Sequence, residues 1–309
     1  MFIRKSDLRP FLDFLAGFNE VYVPSGIRFE KLEEGTRITL DQKTRFSAKK
    51  LFWPASEEIL SFRRGKTRYD IKAPRVILFG ARPCDLNAIE YMDRSLKDNQ
   101  YYIKKRKNST LIGLQCKNTK LFDNCYCHYT CTFFANNYDL LLIEKGGGFL
   151  VDARTDKGKR LLRTRFFSDS GDAASRLKAM KKSFSSRKRK DISCISPEAI
   201  RQMAKDCYSC TACTQVCPTC QSFIMEDRLN PDLESGSRLR LWDSCQLKRY
   251  TRVAGEVVFR PEREQRVRQR IMCKFRYSLE DNGMMSCTGC GRCIDVCTKD
   301  INIFKVFEE

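Results

Sequence analysis

Two groups of four cysteines in this chain share one spacing. Cys207, Cys210, Cys213 and Cys217 follow C-x2-C-x2-C-x3-C with Pro218 next, and Cys287, Cys290, Cys293 and Cys297 repeat the pattern with Thr298 in the proline's place. Three thiolates spaced three residues apart on a tight loop reach three irons of one cubane, and the fourth, where a helix starts, points toward a neighbouring cluster. The spacing therefore predicts two [4Fe-4S] clusters with crossed ligation. One takes Cys207, Cys210, Cys213 and Cys297; the other takes Cys287, Cys290, Cys293 and Cys217. Structural zinc prefers two C-x2-C pairs separated by a spacer, so it fits this pattern poorly. Gly289 and Gly291 are expected to let the second loop approach the inorganic sulfides, which accept backbone N–H donors. Crossed ligation holds the clusters close together and leaves no iron open to substrate, so the pattern predicts one-electron transfer without bond chemistry.

Four more cysteines could form a third site. Cys84 follows the apolar run RVILFG (75–80) and Cys116 follows TLIGLQ (110–115). If both runs are strands of one parallel sheet, both thiols emerge at its carboxyl edge, where α/β sheets bind ligands. Cys125 and Cys127 come next in FDNCYCHYTC, with Cys131 as a rival. Spacing alone leaves this set open between a third [4Fe-4S] cluster and buried free thiols, which are common core residues.

The elements that must carry these residues suggest an N-terminal α/β domain followed by a mostly helical, ferredoxin-like domain with two [4Fe-4S] clusters. A helix with Leu8, Phe11, Leu12 and Leu15 on one face, capped by Ser6, precedes a short strand at Val21 to Val23. Asp85 is expected to start a helix that turns Leu86, Ile89 and Leu96 inward. The run LLLIE (140–144), three glycines and FLVDA read as a hairpin. KKSFSSRKRK (181–190) is basic and serine-rich with no apolar face, the composition of a linker. The expected division is thus 1–180 for the α/β domain with the third site, 181–196 for the linker and 197–309 for the dicluster domain. Pro197 opens a helix leading to Cys207, and a second helix is expected over 262–277.

The chain has 309 residues, seventeen cysteines and a formal net charge of +20. An odd, high cysteine count with no sustained apolar run and no small-residue cleavage site near the start predicts a cytoplasmic chain with reduced thiols rather than a disulfide scaffold or membrane span. Three clusters at roughly two negative charges each would bring the charge to about +14. The remaining excess suits an acidic carrier such as ferredoxin or an acidic partner subunit. Nucleic acid is disfavoured, because the basic tract Lys181 to Lys190 lacks the interleaved aromatics that stack on bases.

In order along the chain, GARPCDLNAIEYMDR (80–94), IGLQC (112–116), NCYC (124–127), CTACTQVCPTC (210–220), WDSC (242–245), RQRIMCKF (268–275) and GMMSCTGCGRC (283–293) resemble the iron–sulfur subunit shared by soluble multisubunit hydrogenases, as their beta subunit, and anaerobic sulfite reductase, as its A subunit. HYTCTFF after NCYC departs from that family's small residues and glycines. The resemblance implies three [4Fe-4S] clusters, the third on Cys84, Cys116, Cys125 and Cys127. It also implies relay of electrons from a flavin subunit that oxidises NAD(P)H to a separate catalytic subunit, of sulfite reductase or hydrogenase type. An independent ferredoxin-like carrier and a zinc-dependent nucleic-acid binder are the alternatives. Cys220 and Cys245 read as packing or supporting thiols, Cys194 and Cys273 as incidental, and the lone His128 as a structural residue beside the third site.

Overall fold

The computed structural model describes residues 1–119, 121–185 and 194–307. Its larger sheet holds seven strands in the order β1-β9-β8-β7-β6-β2-β3: β1 (Phe2–Arg4), β2 (Glu20–Ser25), β3 (Arg28–Lys31), β6 (Val76–Ala81), β7 (Ser109–Leu114), β8 (Leu140–Lys145) and β9 (Gly148–Ala153). The middle strands β2, β6, β7 and β8 run parallel, and β1, β3 and β9 add antiparallel edges. Every residue of β6 is buried, as the unbroken apolar run of a central parallel strand requires. The β8–β9 hairpin closes across Gly146 and Gly147, as the sequence suggests.

Helix α1 (Lys5–Ala16) covers one face with Leu8, Phe11, Leu12 and Leu15. Its N-cap position is held by Arg4, not the expected Ser6, whose hydroxyl contacts Asp7 inside the first turn. Helix α2 (Pro83–Ser95) covers the other face. It begins two residues before Asp85, because Pro83 lacks the N–H that a first helical position leaves unpaired. α3 (Gln100–Lys107) returns the chain to β7. α4 (Asp156–Leu162) and α5 (Ala173–Ser185) follow the sheet.

Two expectations about domain layout change. The basic tract taken as a linker is helical through Ser185 in α5, while 186–193 lie outside the described residues. The later part of the chain is also less helical than its cysteine loops suggest. A hairpin of β10 (Phe223–Leu229) and β11 (Ser235–Trp242) joins β4 (Ser56–Arg63) and β5 (Lys66–Arg68) in an antiparallel sheet of order β10-β11-β4-β5. Backbone pairing between β4 and β11 ties residues from both sides of the expected boundary. The tie is reinforced where Glu57 pairs with both Lys105 and Arg240, and where the Arg240 guanidinium stacks 3.4 Å over Trp53.

The remaining helices form a third core. α6 (Pro197–Asp206) starts with Ser196 accepting from the Ala199 N–H and Pro197 at its first position. The four-residue helix α7 (Ala212–Gln215) follows. α8 (Arg263–Met272) has a reciprocal Glu262–Gln265 cap. The helix expected over 262–277 is not uniform: Cys273–Tyr277 make a π turn before α9 (Ser278–Asn282), and α10 (Arg292–Asp295) comes last. Ile200, Met203, Ile271, Phe275 and Phe304 pack together at the centre. Among the described residues no helix is long and apolar enough to cross a membrane.

Candidate iron-sulfur centres

The two quartet loops have the same backbone. In the first, Ser209 and Thr211 flank Cys210 with φ of +56° and +69°; in the second, Gly289 and Gly291 flank Cys290 with φ of +61° and +72°. Each loop then enters a four-residue helix, α7 or α10, carrying the third cysteine, Cys213 or Cys293. A positive φ is uncommon for Ser and costly for β-branched Thr, so tertiary contacts must enforce it in the first loop.

Besides the backbone freedom expected from sequence, glycine at these positions in the second loop has a further reason. A Cβ on Gly291 would lie 1.7 Å from the Asn124 carbonyl oxygen, and one on Gly289 would lie 2.5 Å from the Cys127 nitrogen. The glycines thus admit the 124–127 segment, whose Tyr126 N–H donates to the Gly289 carbonyl at 2.7 Å. Gly291→Ala should push that segment away and lower iron by about four per chain. Iron analysis checks this, and an unchanged iron content would contradict it.

Cys207, Cys210, Cys213 and Cys297 all line one cavity of about 60 Å³, with Cys293 and Arg270 also on its wall. Cys84, Cys116, Cys125 and Cys127 all line a second cavity of about 20 Å³, with Gly289, Cys290, Lys43 and Arg82. As expected, Cys84 and Cys116 reach this place from the carboxyl ends of neighbouring parallel strands β6 and β7. Cys287 and Cys217 are both buried, and Cys217, Cys287, Cys290 and Cys293 act on one another electrostatically. Members of this last set therefore border both cavities, Cys293 on the first and Cys290 on the second.

Among the described residues no three His, Cys, Asp or Glu side chains are arranged to hold a single metal ion. A cubane is held differently, with one thiolate on each corner iron, so its ligands stand apart around a body of iron and sulfide. Thiols ranged round a cavity fit that donor arrangement.

Burial opposes ionisation of most of these thiols. It pushes Cys116 and Cys213 up to about 11 and Cys127 and Cys287 up to about 12. Cys217 behaves differently: burial pushes it up, but the Lys274 and Arg270 charges outweigh burial and pull it down to about 6. Thr219, whose hydroxyl lies 3.4 Å from the Cys217 sulfur, adds to that pull.

The buried cations around this site were not singled out from sequence. Lys49, Arg270 and Lys274 are 4%, 5% and 4% exposed. Their hydrogen bonds go to neutral oxygens: the Cys220 carbonyl, the Cys213 carbonyl and the Thr219 hydroxyl. The groups facing them that can take up negative charge are thiols. Burial works against the charged form of Lys274, yet Cys217, Cys273 and Cys220 raise its pKa above the usual lysine value. Removing an ion from water costs several kcal/mol even after relaxation, so three such cations imply negative charge at the thiols. The sequence signal for two of them is their place on either side of a short apolar, cysteine-bearing run, as Arg270 and Lys274 flank Ile271, Met272 and Cys273 in RQRIMCKF.

A second set of contacts fixes α2 to the quartet loops. Arg292, fully buried, forms a two-pronged pair with Asp85 at 2.8 and 3.0 Å and donates to the Thr44 carbonyl. Lys43 bridges Asp295 and the Cys290 carbonyl, both at 2.8 Å. Asp85 is thus a partner of the second loop as well as a first-turn helix residue.

The remaining cysteines separate by position. Cys131 is exposed and does not line the cavity of Cys84, Cys116, Cys125 and Cys127. Cys220 is buried and Cys245 half-buried, and both lie in the field of these cations or their thiols. Cys194 is exposed. His128 stacks with Tyr126, lies tilted against Tyr129 and does not line the cavity either.

Comparison with known proteins agrees with this picture. A family model described as a 4Fe-4S dicluster domain matches residues 206–301. Sulfhydrogenase 2 subunit beta of Pyrococcus furiosus is 29% identical over 321 residues, covering 97% of this chain and 94% of that protein. No solved structure matches the chain. The dicluster match takes in both quartets, and the likeness to the hydrogenase subunit runs along nearly the whole chain, so both support an iron–sulfur electron-transfer subunit of hydrogenase beta type.

Proposed function

We propose that the chain is a three-cluster electron wire between two partner subunits. The first [4Fe-4S] cluster is held by Cys207, Cys210, Cys213 and Cys297, the second by Cys287, Cys290, Cys293 and Cys217, and the third by Cys84, Cys116, Cys125 and Cys127. Cofactors of this kind accept and release single electrons. The observation that carries the reading is that Cys293 borders the cavity of the first set while Cys290 borders that of the third. The second set is therefore the bridge, and the spatial order is first, second, third. Residues 197–309 supply the dicluster part and 1–180 the third site.

The likeness to a hydrogenase beta subunit supports partners on both sides: a flavin subunit oxidising NAD(P)H and a catalytic subunit of hydrogenase type, with an anaerobic sulfite reductase as the second reading. The positive charge supports docking to acidic surfaces, ferredoxin included. Nothing in the chain's own thiol sets reserves a position for substrate, so substrate choice belongs to the partners.

Anaerobic purification with copurifying subunits, followed by iron, zinc and acid-labile sulfide analysis and EPR of the reduced sample, tests this. The expected result is about twelve irons and as many sulfides per chain with magnetically coupled signals. About eight irons would remove the third cluster, and zinc without sulfide would overturn the whole reading.

A further inference from the structure

A cavity of about 560 Å³ opens at the carboxyl edge of the parallel sheet, apart from the two thiol-lined cavities. Arg82 lies just beyond β6, Leu114 and Gln115 at the end of β7, and Glu144 near the end of β8, so its wall is built from the edge where open α/β sheets place ligands. Its size falls within the range of small-molecule sites, roughly 300–1,000 Å³.

Three features of the lining define what would fit. Four cations, Lys5, Arg9, Arg82 and Lys117, face two carboxylates, Asp41 and Glu144. Glu144 holds both Lys5 and Lys117, at 2.8 and 3.0 Å, so one carboxylate fixes two ammonium groups on one wall and leaves positive charge over. Gln115, 3% exposed, donates from its amide nitrogen to the Cys116 and Phe133 carbonyls, while its buried carbonyl oxygen has no hydrogen-bond partner. An unpaired buried acceptor carries a desolvation penalty of about 1–3 kcal/mol that a ligand N–H would relieve. Leu8, Ile38, Leu121 and Phe149 supply an apolar surface for a flat ring.

We propose that this cavity binds a phosphorylated heterocycle of mononucleotide size, its phosphate on the Lys5–Lys117 side and a ring N–H on Gln115. Arg82 and Leu121 line both this cavity and that of Cys84, Cys116, Cys125 and Cys127, so the ligand lies directly beside the third thiol set. The shared chemistry admits a flavin mononucleotide or an adenine mononucleotide. Binding itself does not depend on a cluster at the third set.

The test titrates the full chain, purified anaerobically, with FMN by fluorescence, and with AMP and inorganic phosphate by calorimetry and competition. The Lys5→Gln/Lys117→Gln double variant changes two half-exposed side chains, so the fold should survive; it should weaken binding about tenfold or more at unchanged iron content. Gln115→Met should weaken the heterocycles but not inorganic phosphate. Tight binding of FMN alone identifies a flavin site, and displacement of FMN by AMP identifies a nucleotide site. Binding of neither heterocycle, phosphate binding as tightly as both, or affinity untouched by the variants would overturn the proposal.

Discussion

Cys116→Ser is expected to reduce iron from about twelve to about eight per chain and to remove one set of signals from the EPR spectrum of the reduced protein, while those of the dicluster part persist. Cys116 is half-buried on its cavity wall, and no other cysteine beyond Cys84, Cys125, Cys127 and Cys290 lines that space. Cys131, the sequence rival, is exposed and outside it, so it should not rescue the loss. The control is Cys131→Ser, expected to keep the full iron content. Equal iron in Cys116→Ser and the parent would show that the third set is a packing cluster of free thiols.

Lys274→Met should produce the next largest effect, and of a different kind. Lys274 faces Cys217, Cys220 and Cys273 from inside the π turn, and it donates to the Thr219 hydroxyl that touches the Cys217 sulfur. A π turn re-aims side chains relative to a regular helix, and here it accompanies a lysine turned into the core beside a proposed ligand. Removing one partner of a buried ionic pair costs about 3–5 kcal/mol, because the remaining charge is left uncompensated. The holo chain should therefore melt at lower temperature. A lost positive charge also disfavours adding an electron nearby, so the midpoint potential of the second cluster should become more negative in a redox titration followed by EPR. Lys274→Arg, which keeps the charge, should restore most of the potential even if packing suffers. A potential unchanged in the methionine variant would show that Lys274 only packs.

The electrostatics of Cys217 carry a consequence for pH in the cluster-free chain. Its folded pKa is about 6, below the ordinary thiol range, so ionising it stabilises the fold. That contribution is fully present above the unfolded thiol value near 8.5 and is lost as pH falls through about 6.

Much of the site was legible in the residues themselves. Cluster ligation depends on thiols at fixed short spacing, and such spacing is local information: both quartets, and the strand-end placement of Cys84 and Cys116, follow from a few consecutive residues. The amphipathic face of α1, the β8–β9 hairpin and the Pro197 helix start are legible for the same reason, since periodicity and turn chemistry act within one element.

What the tertiary structure decided depends on residues far apart in sequence. The glycines beside Cys290 serve a loop more than 160 positions earlier, because only backbone packing shows that Asn124 needs the space of a missing Cβ. The pairing of β4 with β11 crosses the boundary that composition suggests, since strand partners are chosen by non-local hydrogen bonds. The buried cations Lys49, Arg270 and Lys274 come from two distant segments, and nothing in their local sequence reveals that they share one set of thiols. Which cysteines border which cavity is likewise a matter of packing. Sequence by itself determined what chemistry these thiols can do; the three-dimensional packing decided which thiols meet and under what charge, because distance and burial arise only when remote segments fold together.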